Sequence, residues 1–500
     1  SSLPPAFPIP PLPCSKMDGD GADESATNPL TDPENPPLDG NKLSVINQVS
    51  LVLMIVVPLL PLLAALIERA CCRKRSSCKS YREKGYPPAW AVTLLVVSYA
   101  LLIPGLFGPL FSFNIVANIL VHKIGLGPAG GIDKVKPTTE SMFGLLSLLH
   151  ETGSDLGVLL VLTYAVLIPV AKIILLLAGE FLRGSSVKKS TRCVQVVQNI
   201  SKWACPDMFA YVLLMYLIRG LNHPQLLRAA GQLDLGFTCF SVFCIGSTVA
   251  AIGLQAKDKE KGIWKRLASM LGKGGVLIVV VPLAIAFAVL MVIGLQTPIM
   301  ALRVDMDPLY SSNGGPIDVS NKEIIDMLDI PSLCISDVDV VQSIVKLVEW
   351  MGYGEVNSFI GFVLLAVFAV AFTVLDMCTL VFSAGCLVAG VGRKFSPLRI
   401  SWILKKLSML DVTLMGVVVV TLCMAMYRDK GVYVYTGKGL YILLGAELIH
   451  YFCYYLVKGA MQYFEPEANF AEKSLCDDLS DSDSSLASDE SNKSLSDDED

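Results

Sequence analysis

Six ionisable residues stand inside long apolar runs, where water is not available to solvate them: Lys172, Asp207, Asp376, Asp411, Glu447 and His450. A charge at mid-depth in a bilayer costs at least ~2.5 kcal/mol, so such groups face a bundle interior or a water-filled cavity and mark proton or substrate paths. Lys172 precedes Gly179 by seven residues, roughly 10 Å along a helix at a rise of 1.5 Å per residue. Asp207 sits about one turn into the next apolar run. Neighbouring antiparallel helices could bring the two together, and each would then keep the other charged. The simpler readings are snorkelling for Lys172 and helix N-capping for Asp207. Asp376 and Asp411 form the analogous pair further along. They are either two carboxylates sharing one proton or a lone cavity-facing acid and a helix cap. Glu447 and His450, at i and i+3, share a helix face. They read as titratable relay groups or as a polar contact holding helices together.

Other chemistries do not assemble. No phosphate-cradling glycine loop follows a strand, His150 with Glu151 lacks partner ligands, and four His in the whole chain argue against a multi-His metal site. The sequence predicts neither an enzyme nor a metal or cofactor protein, and nothing in it points to nucleic acid.

The elements that must position these residues follow from composition. Hydrophobic residues make up 53% of the chain and charged ones 17%, against about 25% charged in soluble globular proteins. The apolar residues fall into nine blocks: 46–67, 90–112, 156–182, 203–219, 233–255, 274–302, 357–388, 407–427 and 439–457. Most approach the ~20 residues that cross ~30 Å of hydrocarbon as a helix. The expected class is therefore an all-α, multi-pass integral membrane protein. Residues 1–43 are polar and hold ten prolines, so no cleavable signal peptide is expected there. The chain opens Ser-Ser rather than Met, which leaves its true start open, Met17 included.

Lys and Arg positions set the orientation. Basic residues crowd the loop after the first block (Arg69, Arg73, Lys74, Arg75, Lys79, Arg82, Lys84) and recur in every second loop, as at Lys188, Lys189 and Arg192, at Lys257 to Arg266, and at Arg393 to Lys406. Nine spans with this alternation place the N-terminus outside and the C-terminus in the cytosol. Asn199 and Asn492, in Asn-x-Ser sequons, both fall on the cytosolic side, where N-glycosylation does not occur. Cys71 and Cys72, beside this basic flank, suit palmitoylation or are merely part of the charge cluster that fixes topology.

The tail differs in kind. Residues 465–500 hold thirteen acidic and two basic residues, a composition with almost nothing apolar to bury and hence predicted to be disordered. Ser480, Ser482, Ser488, Ser494 and Ser496 stand near acidic residues and are phosphorylation candidates, each phosphate adding about −1.5 to −2 charge.

Two stretches repeat in order. Gly105-Leu106-x-x-Pro109 closes the second block and Gly294-Leu295-x-x-Pro298 the sixth; Lys202 and Asp207 open the fourth and, 204 residues later, Lys406 and Asp411 open the eighth. At that shift Lys172 falls on Asp376. The pattern predicts two tandem four-helix units, 90–256 and 274–458, in parallel orientation behind one additional helix at 44–68, with basic linkers at 69–89 and 257–273.

With these motifs in place, the stretch 138–182, Pro169-Val170-Ala171-Lys172, Trp203-Ala204-Cys205-Pro206-Asp207 and above all Leu407-Ser408-Met409-Leu410-Asp411-Val412 resemble the repeated membrane unit of the paraquat-inducible protein A family, PqiA and LetA. The resemblance spans about 90–457. It implies a transporter component for lipid or another hydrophobic solute, with membrane lipids and Mce-type lipid-transfer proteins as partners. Two departures stand out. The family's four-cysteine zinc ribbons are missing: the first linker has only Cys71, Cys72 and Cys78, the second none, and tetrahedral zinc needs four ligands. Asp376 stands where the family has Lys. The alternative reading is a non-transporting membrane scaffold or signalling protein regulated through the acidic tail.

Overall fold

The computed structural model describes residues 40–74, 87–117, 138–183, 187–220, 227–254, 262–305, 335–390, 397–424, 428 and 432–464. The Pro-rich head, most of the first linker and the acidic tail with its five candidate serines lie outside the described residues, as does the linker stretch 255–261.

A long helix, α1 (Gly40–Lys74), leads the chain. The first half follows as α2 (Ala89–Phe107), β1 (Pro109–Ala117), β2 (Thr138–Ser141), a short α3 (Met142–Glu151), α4 (Asp155–Leu162), a π-helical stretch Thr163–Leu167 and α5 (Ile168–Arg183). It is completed by α6 (Val187–Ile200), a 3₁₀ turn Ser201–Ala204, α7 (Pro206–Gly220), β3 (Leu227–Leu233) and α8 (Leu235–Gly253). The second half runs α9 (Gly262–Gln296), β4 (Met300–Val304), β5 (Ile335–Val338), α10 (Val340–Gly352), α11 (Val356–Phe362), a π-helical stretch Val363–Ala371 and α12 (Phe372–Ala389). Then come α13 (Pro397–Leu407), α14 (Leu410–Met424), β6 (Val432–Thr436) and α15 (Lys438–Phe464).

The halves pass through the same order of elements, down to local devices. Each sheet has three antiparallel strands with the first strand central, β2-β1-β3 and β5-β4-β6. Each short helix after the second strand is N-capped by a side chain: Ser141 accepts from the Gly144 amide at 3.1 Å and Asp339 from the Gln342 amide at 2.7 Å. Each then ends in a turn through a left-handed glycine, Gly153 (φ 74°) and Gly354 (φ 86°), conformations that a Cβ disfavours.

Eight helices among the described residues are long and apolar enough to cross a membrane, from Leu43–Cys71 to Lys438–Phe464. Their outward faces carry large apolar side chains, such as Ile278 and Leu448, as expected where lipid replaces water. These features define a multi-pass, predominantly helical membrane protein. Two details differ from the sequence expectation of an all-α chain with nine spans. The ends of blocks 90–112 and 274–302 are not helix but the first strands of the two sheets. Block 203–219 forms α7, which at 15 residues is not among the eight. About 22 Å long at 1.5 Å per residue, α7 is buried along nearly its whole length against α14 and other protein rather than lipid.

α7 and α14 cross at the centre. A Cβ on Gly416 would come within 2.8 Å of the Pro206 carbonyl oxygen, so the two backbones touch there. Helix α1 clamps the halves from the side: Ser50 donates to Asn357 Oδ1 at 2.8 Å and lies 3.1 Å from Thr238, while Asn47 donates to the Gly354 carbonyl at 2.8 Å.

Candidate functional site

The crossing of α7 and α14 gathers the buried charges. Lys202, on the 3₁₀ turn before α7, donates to Asp411 Oδ2 at 2.6 Å, joining the first half to the second. Tyr451 of α15 donates to the same oxygen at 2.7 Å, and the Val412 amide meets the other at 3.0 Å. Lys405 of α13 lies 3.3 Å from the centre of the Tyr451 ring and donates to Glu447 Oε1 at 3.1 Å. His450 closes the series, with Nε2 2.9 Å from Asp376 Oδ2; Asp376 Oδ1 accepts from Ser401 at 2.5 Å. One continuous string thus runs Lys202, Asp411, Tyr451, Lys405, Glu447, His450, Asp376, and every member is buried or nearly so.

The histidine holds an unusual position. Its Nδ1 is 3.2 Å from the Lys405 ammonium, which can only donate, and 3.2 Å from Glu447 Oε2, which can accept. A neutral imidazole with its proton on Nε2 donates to Asp376 and accepts from Lys405. An imidazolium donates to Asp376 and Glu447. Both protonation states are hydrogen-bonded without movement of the ring. Charge also balances differently in the two. Three carboxylates face two ammonium groups, and only the imidazolium brings the cluster to neutrality, which a low-dielectric site favours.

The predicted pairs are not the pairs formed. Lys172 is fully buried, but its ammonium donates to Ser247 at 2.8 Å and lies 5.6 Å from the Phe243 ring, not beside Asp207. Burial at this depth also rules out snorkelling. Asp207 is 1% exposed, and neither carboxylate oxygen has a hydrogen-bond partner, so it caps no helix. Asp376 and Asp411 do not share a proton with each other: the first pairs with His450 and Ser401, the second with Lys202 and Tyr451. Glu447 and His450 do meet, at 3.2 Å.

Lys202, Lys405, Tyr451, Ser401 and Ser247 complete the site but were not singled out from sequence. From sequence, Lys202 reads as a marker of the repeat and Lys405 as one of the charges that set topology. A usable signal existed for α13, where Pro397, Ser401 and Lys405 recur at i, i+4 and i+8 and form its buried stripe.

Asp207 borders a separate feature. A cavity of about 150 Å³ runs along α7 from Asp207 past Tyr211 to Ile218, walled opposite by Val420 and Cys423 of α14. Phe113 of β1 and Leu302 of β4 frame its other end, with Glu140 of β2 beside them.

No protein-family model matches this chain, and neither does any curated protein or solved structure. Function is therefore argued from the site itself.

Proposed function

We propose that the chain is a proton-coupled transporter component that moves lipid or another hydrophobic solute between or across membranes. One observation carries the coupling: His450 Nδ1 stands equally far from a donor and an acceptor, so the string accommodates a proton or its absence with full hydrogen bonding. A scaffold gains little from such a device. The resemblance to the paraquat-inducible protein A family supplies the substrate class and the Mce-type partner, and both belong to this reading. So do nine spans with α7 as the ninth, an outer N-terminus, a cytosolic C-terminus and two tandem four-helix units. The shared order of elements and the 204-residue spacing of Lys172 from Asp376 and of Asp207 from Asp411 support the tandem arrangement. The scaffold reading draws support from one feature, the acidic Ser-rich composition of 465–500.

The test is proton movement. Purified protein in liposomes with an internal pH dye should dissipate an imposed pH gradient, and His450→Gln, which cannot cycle a proton, should abolish this at equal protein content. An unchanged rate in the variant would remove the proton from the mechanism. Topology has its own check: a cysteine introduced near Ser312 should be labelled from outside and one near Ser480 should not.

A further inference from the structure

The strands mark one end of the helix bundle. A Cβ on Gly220, where α7 leads to β3, would meet Ser336 Oγ of β5 at 2.6 Å, so the two sheets share that end. The spans that finish in α5, α12 and α15 run away from the strands, and α9 runs toward them. The starts of α6, α9 and α13 and the finish of α15 therefore gather at the other end. That end is basic. Lys188, Lys189 and Arg192 of α6, Arg266 and Lys273 of α9 and Arg399 of α13 are all exposed there. The acids at the surface of this end, among the described residues, are Glu68 and Glu180. An excess of one sign on this scale attracts a polyanion.

The chain carries such a polyanion. Residues 465–500 hold thirteen acidic and two basic residues. They leave the bundle at Phe464, whose ring centre lies 5.8 Å from the Lys273 ammonium, so the tail starts on the basic face. Length permits the rest. α13 touches α15 where Lys405 lies over the Tyr451 ring, and touches α6 where Lys406 donates to Asn199. α6 thus stands two helix spacings from α15, ~16–20 Å at ~8–10 Å each. Asp477 follows Phe464 by thirteen residues, and an extended chain covers ~3.3–3.6 Å per residue. The acids from Asp477 onward therefore reach the cations of all three helices, at the high local concentration that a tether provides.

We propose that this basic end is the docking surface for the chain's own acidic tail. The contact is one of charge and requires no folded tail, in keeping with a segment that has little apolar to bury. Phosphates on Ser480, Ser482 or Ser488, each adding about −1.5 to −2 charge, tighten it. One of the docked helices, α13, also carries Lys405 of the charged string, so the tail lies on an element that holds the string in place. The inference rests on neither transport nor scaffolding.

The experiment uses the full chain in phosphatidylcholine nanodiscs, a water-soluble carbodiimide that joins carboxylates to lysine amines, and peptide mass spectrometry. Amide links should form between acids of 477–500 and Lys188, Lys189 or Lys273. Their yield should fall severalfold from ~0.1 M to ~1 M salt, as the Debye length shrinks from ~10 to ~3 Å. Arg192→Gln, Arg266→Gln and Arg399→Gln together leave every lysine in place and should also cut the yield severalfold. Asp→Asn at 477, 478, 481, 483 and 489 lies beyond the last described helix, so it tests the same contact without touching the bundle. It should weaken the links made by Glu490 and the acids of 497–500. Adding phosphatidylserine to the discs should leave the links in place. Tail acids linked only to Lys473 and Lys493, a yield indifferent to salt, or links that survive both sets of substitutions would overturn the docking. So would links lost to phosphatidylserine, which would give the face to lipid.

Discussion

The two halves follow one plan of helices and strands but bury very different chemistry. Shifting by 204 residues sets Lys172, Ser201, Phe243 and Ser247 of the first against Asp376, Lys405, Glu447 and Tyr451 of the second. In the first half this leaves one ammonium, two hydroxyls and an aromatic ring; in the second, an acid, a base, a further acid and a phenol, with His450 added. The second half satisfies its charges and borrows Lys202 from the first to do so. The corresponding Lys406 does not return the favour: its ammonium goes to Asn199, and Asp207 is left alone. A shared backbone plan therefore constrains where polar groups sit, not whether they are paired. The asymmetry is one of pairing: the second half saturates its buried charges, and the first leaves the Asp207 carboxyl without a hydrogen-bond partner.

The comparison is broken most severely by unpairing the saturated half. Lys405→Ala strands Glu447 in a buried site, and removing one partner of such a pair typically costs ~3–5 kcal/mol. Thermal unfolding in detergent should show a large loss of stability, and Lys405→Met with Glu447→Leu should recover much of it. Next in size is Gly416→Leu, which drives a side chain into the Pro206 carbonyl and the Phe209 Cβ. Overpacking of this kind typically costs ~1–3 kcal/mol. The same substitution at Gly274, where nothing lies within 4 Å, should leave the unfolding midpoint nearly unchanged.

Lys172→Met sharpens the contrast instead. It removes a buried charge that stands over a ring and on one hydroxyl, so stability should hold or rise, whereas Lys202→Met, which strips Asp411 of its ammonium, should lower it. A loss of stability in Lys172→Met matching that of Lys202→Met would mean that the first half is as tightly paired as the second. The smallest effect concerns Glu140 at the cavity mouth, outside the spans. Burial raises its carboxyl above the ordinary value of 4.5. The folded state therefore binds a proton more tightly than the unfolded one, and its contribution to stability is lost as pH rises from 4.5 through the folded value. Partial exposure keeps the effect small, and Glu140→Gln should flatten the pH dependence in that window.

The long spans were legible because twenty apolar residues have few other uses, and five of the six ionisable residues are buried, with the Asp411 side chain 12% exposed. The strands were less so: Phe111 to Ile115 alternates apolar and polar residues over only five positions, Met300 to Val304 carries a single charge at Arg303, and both stand at the ends of apolar blocks, where runs this short do not declare their period. Pairing was the larger miss. The 204-residue register relates Asp207 to Asp411, but neighbouring positions along the sequence suggest partners only within each half. The contact at Gly416 instead lays one half's lysine against the other half's aspartate, a long-range event that no local spacing reports.

The π-helical stretches Thr163–Leu167 and Val363–Ala371 precede Lys172 and Asp376 in their respective spans. A π turn takes up an additional residue, and at 3.6 residues per α turn one residue is worth ~100° of rotation. Each stretch thus acts as a phase shifter, setting the azimuth of everything downstream. Deleting Val166 or Val367 would let the helix relax to regular α geometry and swing Lys172 or Asp376 away from its partners, toward the lipid. The inward aim of both charges is in this sense a matter of counting, held by one residue more than a plain helix would use.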